Sequence, residues 1–144
     1  MKQVMEIAHG SKAYGQACTL RNAELRLPLG LNLFDEDLDA EAKSRHFGIF
    51  DDEIVIGCLV IAPIDSSSVQ LRQMVVDKKY RDRGLGRLLV EAVERRLIES
   101  GILEIRLHAR IPAMGFYERL GFRVEGNPFL EVSISHQAMR KSIG

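Results

Sequence analysis

An excess of charge of either sign is the first thing that this sequence lacks. Lysine and arginine together number 20, aspartate and glutamate also number 20, and the formal net charge is zero. Binding to nucleic acid or to an anionic membrane depends on a clear basic excess. The composition therefore argues against both partners for the chain as a whole, although it is compatible with a local basic patch.

Cysteines and long apolar runs are also scarce. Cys18 and Cys58 are the two cysteines, and Cys58 lies in the apolar run 57–61, as a buried thiol would. Neither has the paired spacing of a metal site, and the absence of a disulfide framework fits a reducing compartment. The N-terminal residues lack the apolar stretch of a signal peptide, and no apolar run approaches the ~18 residues of a transmembrane helix. We expect a cytoplasmic protein with no metal.

Domain boundaries are missing as well. No repeat, low-complexity tract or proline-rich linker divides the 144 residues. A chain of this length suits one domain and is long enough for a real core. We therefore expect a single domain over residues 1–144. The sequence leaves the oligomeric state open, and a homodimer is compatible with it.

The spacing of apolar residues predicts a mixture of strands and helices. Helices are predicted at 12–27, 84–100 and 112–120, and strands at 2–8, 46–51, 53–62, 69–76, 103–109 and twice within 122–140. The close spacing of the second to fourth strands indicates an antiparallel meander, whereas the unit 69–109 predicts a parallel crossover. The expected fold class is α/β (α+β), with a mixed, mostly antiparallel sheet flanked by helices.

A turn with arginines and glycines precedes the clearest helix, in the segment Arg81-Asp82-Arg83-Gly84-Leu85-Gly86-Arg87. A helix start presents unpaired N–H groups and the positive end of the helix dipole, so it can bind an anion. Glycines allow close approach and positive φ, and arginines add donors. The Walker pattern fails because Lys-Ser/Thr does not follow the last glycine, and the dinucleotide pattern fails because Leu89 replaces its third glycine.

Two pieces of the sequence resemble a known superfamily. Arg81-x-x-Gly84-x-Gly86, after a strand ending in Met74-Val75-Val76-Asp77, resembles the coenzyme A motif of the GNAT superfamily of N-acetyltransferases. Ala113-x-x-Phe116-Tyr117-Glu118-Arg119-Leu120-Gly121-Phe122 is similar to the later helix and strand start of that superfamily. The segments 25–30 and 129–136 resemble its small bacterial ElaA-like and YjcF-like branch, although Ser135 stands where that branch often has proline.

The resemblance implies a GNAT fold and an N-acetyltransferase, in which a primary amine of a small-molecule acceptor attacks the thioester of acetyl-CoA directly. The pyrophosphate would bind at the arginine–glycine loop, and the pantetheine along the strand that precedes it. Arg110 stands where many relatives have an asparagine that contacts the pantetheine. The implied cofactor-binding residues are Met74, Val75, Val76, Arg81, Asp82, Arg83, Gly84, Leu85, Gly86, Arg87, Arg110 and Phe116.

The resemblance also implies catalytic groups. A backbone N–H near Val75 or Val76 would stabilise the oxyanion, and Tyr117 matches the acid that protonates the leaving thiolate. Many relatives carry a glutamate base on the strand equivalent to 69–76, which has no carboxylate in this chain. Glu131 is our candidate for the base. The alternatives are His108, His136, Glu24, a water relay or no dedicated base.

The acceptor end of the site is expected from residues 20–46 and 125–140, which lie outside the coenzyme A motif. The candidate specificity residues there are Arg21, Glu24, Arg26 and Arg45. Two alternatives stay open. The missing strand carboxylate and Arg110 are compatible with a CoA-binding sensor or interaction module that has lost catalysis, and a succinyl or longer acyl group could replace acetyl.

Overall fold

The computed structural model describes residues 2–144, and its strands join in one sheet of seven. In chain order, β1 to β7 are Lys2–Ile7, Arg45–Asp51, Ile54–Pro63, Ser68–Val76, Glu104–Arg110, Arg123–Glu131 and Ile134–Ser142. Helices α1 to α3 are Lys12–Leu25, Leu85–Glu99 and Met114–Arg119. Short 3-10 turns lie at Leu27–Leu29, Leu33–Asp35, Leu38–Lys43, Lys78–Tyr80 and Ile111–Ala113.

The sheet has the order β1-β2-β3-β4-β5-β7-β6. All neighbouring strands pair antiparallel except β4 and β5, which are parallel and are connected through α2. This confirms the predicted fold class. Helix α1 ends at Leu25, before the predicted position 27, because Pro28 lies in a 3-10 turn and disfavours helical geometry just before it. No helix within residues 2–144 is long and apolar enough to cross a membrane.

Apolar side chains cover both faces of the sheet. On one face, α2 buries Leu89, Val93 and Leu97 at helical spacing in a cluster that also contains Leu71 of β4. On the other face, α1 packs in a cluster that contains both cysteines. Cys58 is buried, as the sequence predicted, and burial raises the pKa of its thiol to about 12, so the thiol is unreactive.

Strand β4 changes face in its middle. Val69 and Leu71 belong to the α2 cluster, whereas Val75 belongs to the α1 cluster. A strand with unbroken alternation would keep all three on one side. The register with β3 passes from the pair Arg72–Val60 to the pair Val75–Cys58, so β4 contains one extra residue. This is a β-bulge, and Gln73 within it has a φ of +49°.

The bulge separates β4 from β5. Their pairing ends at Leu71 and Leu107. Beyond that point β5 still pairs with β7 as far as Arg110, and β4 still pairs with β3 as far as Val76. The edges of β4 and β5 that face each other therefore have no strand partner past Leu71 and Leu107. An opening lies between the two strands there.

A buried ion pair holds the bulge. Arg21 is 1% exposed and donates to both carboxylate oxygens of Glu41, at 2.9 and 2.5 Å. Its Nε and Nη2 also donate to the side-chain oxygen of Gln73, at 3.0 and 2.8 Å. The Tyr14 hydroxyl donates to Glu41 at 2.7 Å. Burial alone would raise the pKa of Glu41, but the hydrogen bonds from Arg21 and Tyr14 bring it below its ordinary value.

Two candidate specificity residues are therefore corrected. Arg21 is buried against Glu41 and Gln73, so it is a structural residue and does not reach a substrate. Arg45 pairs with Glu6 at 2.9 Å and donates to Ser100 at 3.0 Å, on the outer part of the sheet. Sequence reasoning could not place these arginines, because their partners are distant in the chain.

We predict that Glu41→Ala lowers the free energy of unfolding by about 3–5 kcal/mol, since it leaves a buried guanidinium without its carboxylate. Glu6→Ala is the matched control, because its pair with Arg45 is largely exposed and should contribute about 0.2–1 kcal/mol. Urea denaturation at neutral pH measures both variants.

The double variant Arg21→Met/Glu41→Leu removes both charges and should recover part of the loss, since Gln73 and the Tyr14 hydroxyl still lose their partners. The contribution also depends on pH. Because the folded-state pKa of Glu41 lies below its ordinary 4.5, the stabilisation is present above pH 4.5 and is lost as pH falls through the folded-state value. Equal losses for Glu41→Ala and Glu6→Ala would contradict a buried pair.

Candidate active site

The opening between β4 and β5 leads into two adjoining cavities. The large cavity has a volume of about 870 Å³ and extends to the start of α2 and to α3. The small cavity has a volume of about 380 Å³ and extends to β6 and β7. Residues that line both cavities mark the junction between them, and these are Leu25, Met74, Arg110, Ala113 and Tyr117.

The start of α2 opens onto the large cavity. Gly84 is the N-cap residue, with a φ of 73°, and no side chain caps the helix there. A Cβ on Gly84 would meet nothing within 4 Å, so the positive φ is what favours glycine at this position. The N–H groups of residues 85–87 have no acceptor within the helix. This end of α2 can therefore bind an anion in the large cavity.

Gly86 has a different role from the one that the sequence predicted. Its backbone does not adopt positive φ. A Cβ at this position would lie 3.2 Å from both Met74 Cε and Phe116 Cζ, which is closer than ordinary van der Waals contact. Gly86 therefore permits α2 to pack closely on β4 and α3. Gly84 alone supplies the left-handed geometry at the helix start.

The three arginines of the loop do not act alike. Arg81 is half exposed, pairs with Glu24 at 2.7 Å, and donates from Nε to the carbonyl of Val76 at 3.2 Å. Arg87 lines the large cavity and pairs with Glu91 at 3.3 Å. Arg83 stacks on the ring of Tyr80 at 5.4 Å and does not line the cavity. Arg81 and Arg87 are thus the loop guanidiniums that can reach a ligand there.

Tyr117 lies at the junction of the two cavities, and its hydroxyl has only a weak acceptor among residues 2–144. The side chain is 8% exposed, and its ring packs edge-on against Phe116 and Phe122. The hydroxyl is 3.6 Å from the sulfur of Met74, which is a weak acceptor. Burial raises the pKa of Tyr117 well above its ordinary value, so the phenol stays protonated at neutral pH.

Three of the four candidate bases lie together in the small cavity. The Nδ1 atom of His108 is 3.0 Å from one oxygen of Glu131, and Nε2 of His136 is 3.7 Å from the other. Glu131 is 47% exposed and His108 is 38% exposed, whereas His136 is buried. Glu24 lies elsewhere, in the large cavity beside Arg81. Across residues 2–144, no cluster of three or more potential ligands is arranged to hold a metal.

Sequence reasoning missed other residues that line the small cavity. Glu36 and Arg72 line it, and Glu36 pairs with Arg26 at 2.7 Å. Gln73 carries the bulge that creates the opening. The sequence does contain a signal for Gln73. Residues 69, 71, 73 and 75 share one side of a regularly alternating strand, and Gln73 is the polar residue among the apolar Val69, Leu71 and Val75. Nothing local to Glu36 marks it, since its partner lies ten residues earlier.

Comparison with known proteins agrees with this architecture. The profile of the acetyltransferase (GNAT) domain family matches residues 31–143. The Bacillus subtilis protein YyaT is 30% identical over 110 residues, covering 76% of this chain and 74% of YyaT. YjcF, an N-acetyltransferase of the same organism described as uncharacterized, is 29% identical over 109 residues, covering 74% of this chain and 77% of YjcF.

Solved structures show the same fold at lower identity. Escherichia coli ElaA has a TM-score of 0.81 at 18% identity, covering 98% of this chain and 99% of ElaA. A GNAT family acetyltransferase from Elizabethkingia anophelis, crystallised with acetyl-CoA bound, has a TM-score of 0.72 at 15% identity, covering 99% and 98%. These matches confirm the resemblance stated from the two sequence pieces and the narrower similarity to ElaA and YjcF. The chain belongs to the GNAT family of acetyltransferases and is an acyltransferase.

Proposed function

We propose that this chain is an N-acetyltransferase that transfers the acetyl group of acetyl-CoA to a primary amine of a small molecule by direct attack. The observation that carries the proposal is the opening between β4 and β5, which joins the anion-binding start of α2 to Tyr117. The acetyl-CoA bound to the Elizabethkingia relative supports the choice of donor. We also propose that residues 1–144 form one acyltransferase domain, since every strand in residues 2–144 joins one sheet.

The large cavity would hold coenzyme A. Its pyrophosphate would accept hydrogen bonds from the N–H groups at the start of α2, with Arg81 and Arg87 beside them. The pantetheine amides would pair with the free edge of β4 at Met74 to Val76, as an added strand does. Asp82, Leu85 and Phe116 would line this path. Arg83 would contribute through the loop, by its stacking on Tyr80.

The proposed reaction uses these groups in one sequence of bond changes. The amine nitrogen attacks the thioester carbonyl carbon, and the N–H of Val75 or Val76 stabilises the oxyanion. The carbon–sulfur bond then breaks, and Tyr117 donates its proton to the departing sulfur. The burial that raises the pKa of Tyr117 would also raise the pKa of a thiol beside it, which makes the departing thiolate a stronger acceptor for the proton. The products are an amide and free coenzyme A.

The amine must lose a proton before or during attack. We propose Glu131, paired with His108, as the group that accepts it in the small cavity, with His136 as the second partner of the carboxylate. This pair replaces the strand glutamate that many relatives carry on the equivalent of β4. A cytoplasmic location suits the proposal, since both cysteines are buried and free.

The affinity for acetyl-CoA tests whether the start of α2 binds the pyrophosphate. Gly84→Asp should weaken acetyl-CoA binding at least about tenfold, because it places a negative charge at the helix start and strains a left-handed position. Arg81→Ala should weaken it by a similar factor through loss of a charged hydrogen-bond donor. Isothermal titration calorimetry with acetyl-CoA measures both variants.

Gly10→Asp is the matched control. Gly10 also has positive φ, of 81°, and open space at its Cβ, but it lies outside the large cavity. Its substitution should leave acetyl-CoA affinity near that of the wild type. Wild-type affinity in both loop variants would rule out the helix start as the pyrophosphate site.

The turnover number kcat tests the roles of Tyr117 and Glu131. Tyr117→Phe and Glu131→Gln should each lower kcat about 100-fold at neutral pH, because one removes the acid and the other the base. Neither should change the affinity for acetyl-CoA. Thiol release from acetyl-CoA, measured across a panel of primary amines, gives kcat, and calorimetry gives the affinity.

Glu125→Gln serves as the control for Glu131→Gln. It changes a glutamate of the same strand, 46% exposed and paired with Arg140, that lies outside both cavities. It should keep kcat near that of the wild type. If the wild-type protein binds acetyl-CoA but releases no thiol from it with any of the amines, the result would instead favour a CoA-binding sensor.

A further inference from the structure

Arg110 is a partly buried cation that pairs with no carboxylate of the described residues 2–144. It ends β5 and lines both cavities at their junction. Among residues 2–144, its hydrogen bond is from Nη2 to the carbonyl oxygen of Leu25, at 3.2 Å, and no ion pair joins it to an acidic side chain. A guanidinium has five N–H donors. Most donors of Arg110 therefore face the cavities without a protein acceptor.

A second guanidinium reaches the same carbonyl. Arg26 donates from Nη1 to the Leu25 oxygen at 3.2 Å, and its Nε pairs with Glu36 at 2.7 Å. Glu36 thus pairs with Arg26, whereas Arg110 beside it has a carbonyl as its hydrogen-bond partner and no carboxylate among the described residues. Burial, together with the nearby charge of Arg26, lowers the pKa of Arg110. The surroundings disfavour the cation, and a bound anion would relieve that cost.

Arg110 lies in the same cavity as the proposed base, Glu131. Arg110 and His108 are two residues apart on β5, so their side chains leave the same face of the strand about 7 Å apart. His108 is paired with Glu131 at 3.0 Å. A free cation therefore lies beside a carboxylate–histidine pair in one cavity. A ligand with an amine at one end and an anion at the other matches this arrangement of charges.

We propose that Arg110 binds a carboxylate of the substrate, and that the acceptor is accordingly an amine that also carries a carboxylate, as an amino acid does. A planar guanidinium matches a carboxylate with two parallel hydrogen bonds, which a lysine cannot reproduce. The inference rests on the proposed function and names its acceptor class. The same chemistry could come from a dicarboxylic acyl group on coenzyme A, and the experiment separates the two sources.

The experiment uses matched pairs of acceptors: lysine with cadaverine, phenylalanine with phenethylamine, and tyrosine with tyramine. Thiol release from acetyl-CoA is measured for the wild type, Arg110→Gln, Arg110→Lys and the control Arg106→Gln. Arg106 leaves the same face of β5, at equal spacing from His108, but pairs with Glu104 and lines neither cavity. Calorimetry adds a binding readout, with the same compounds titrated into protein saturated with coenzyme A.

The wild type should prefer at least one carboxylate-bearing member over its decarboxylated partner by about tenfold or more in kcat/KM or in affinity. Arg110→Gln should abolish that preference by raising KM for the carboxylate-bearing amine, with the partner amine unchanged. Arg110→Lys should restore part of it, and Arg106→Gln should retain it. The inference is overturned if the wild type shows no preference in either readout, or if Arg110→Gln affects both members equally.

The donor arm uses succinyl-CoA with cadaverine, an acceptor that has no carboxylate. If Arg110→Gln lowers succinyl transfer about tenfold and leaves acetyl transfer unchanged, the carboxylate that Arg110 binds belongs to the acyl group. Titration with acetyl-CoA distinguishes a failure of the proposed function from a failure of this inference. Weaker acetyl-CoA binding by Arg110→Gln, without a change in carboxylate preference, would make Arg110 a pantetheine contact and overturn the inference.

Discussion

Where β4 inserts an extra residue opposite β3, the strand rotates and stops pairing with β5 after Leu71. Gln73 holds this bulge with a φ of +49°, a conformation that costs a non-glycine residue free energy unless its surroundings fix it. The side chain of Gln73 accepts two hydrogen bonds from Arg21, which Glu41 neutralises. The opening that contains the site therefore depends on the buried ion pair between Arg21 of α1 and Glu41.

Two glycines, Gly84 and Gly86, place the start of α2 beside the opening that the bulge creates. Gly86 allows α2 to lie against Met74 and Phe116, which brings the helix start close to the free edge of β4. Gly84 then turns the chain into the helix with its N–H groups exposed to the large cavity. On the proposed function, one cofactor molecule would use both features, with its phosphates at the helix start and its amides along the strand edge.

Much of the fold could be predicted because its signals are local. The burial of Leu89, Val93 and Leu97 follows from their spacing in α2. The alternation of buried and exposed side chains in β5 follows from the alternation of apolar and polar residues in its sequence. The features that shape the site are not local. Gln73 is held by Arg21, which is 52 residues away, and Glu131 meets His108 at a separation of 23 residues. Such pairings depend on the register of the sheet, which the sequence pattern does not determine.

Amide hydrogen exchange with and without acetyl-CoA tests the central claim most directly, namely that the cofactor occupies the opening created by the bulge. We expect slower exchange on binding within Met74 to Val76 and at residues 85–87, because the N–H groups there that face the opening would gain acceptors from the ligand. The exchange rates of the amide groups that pair β1 with β2 should not change. Binding of acetyl-CoA without protection at either segment would contradict the account.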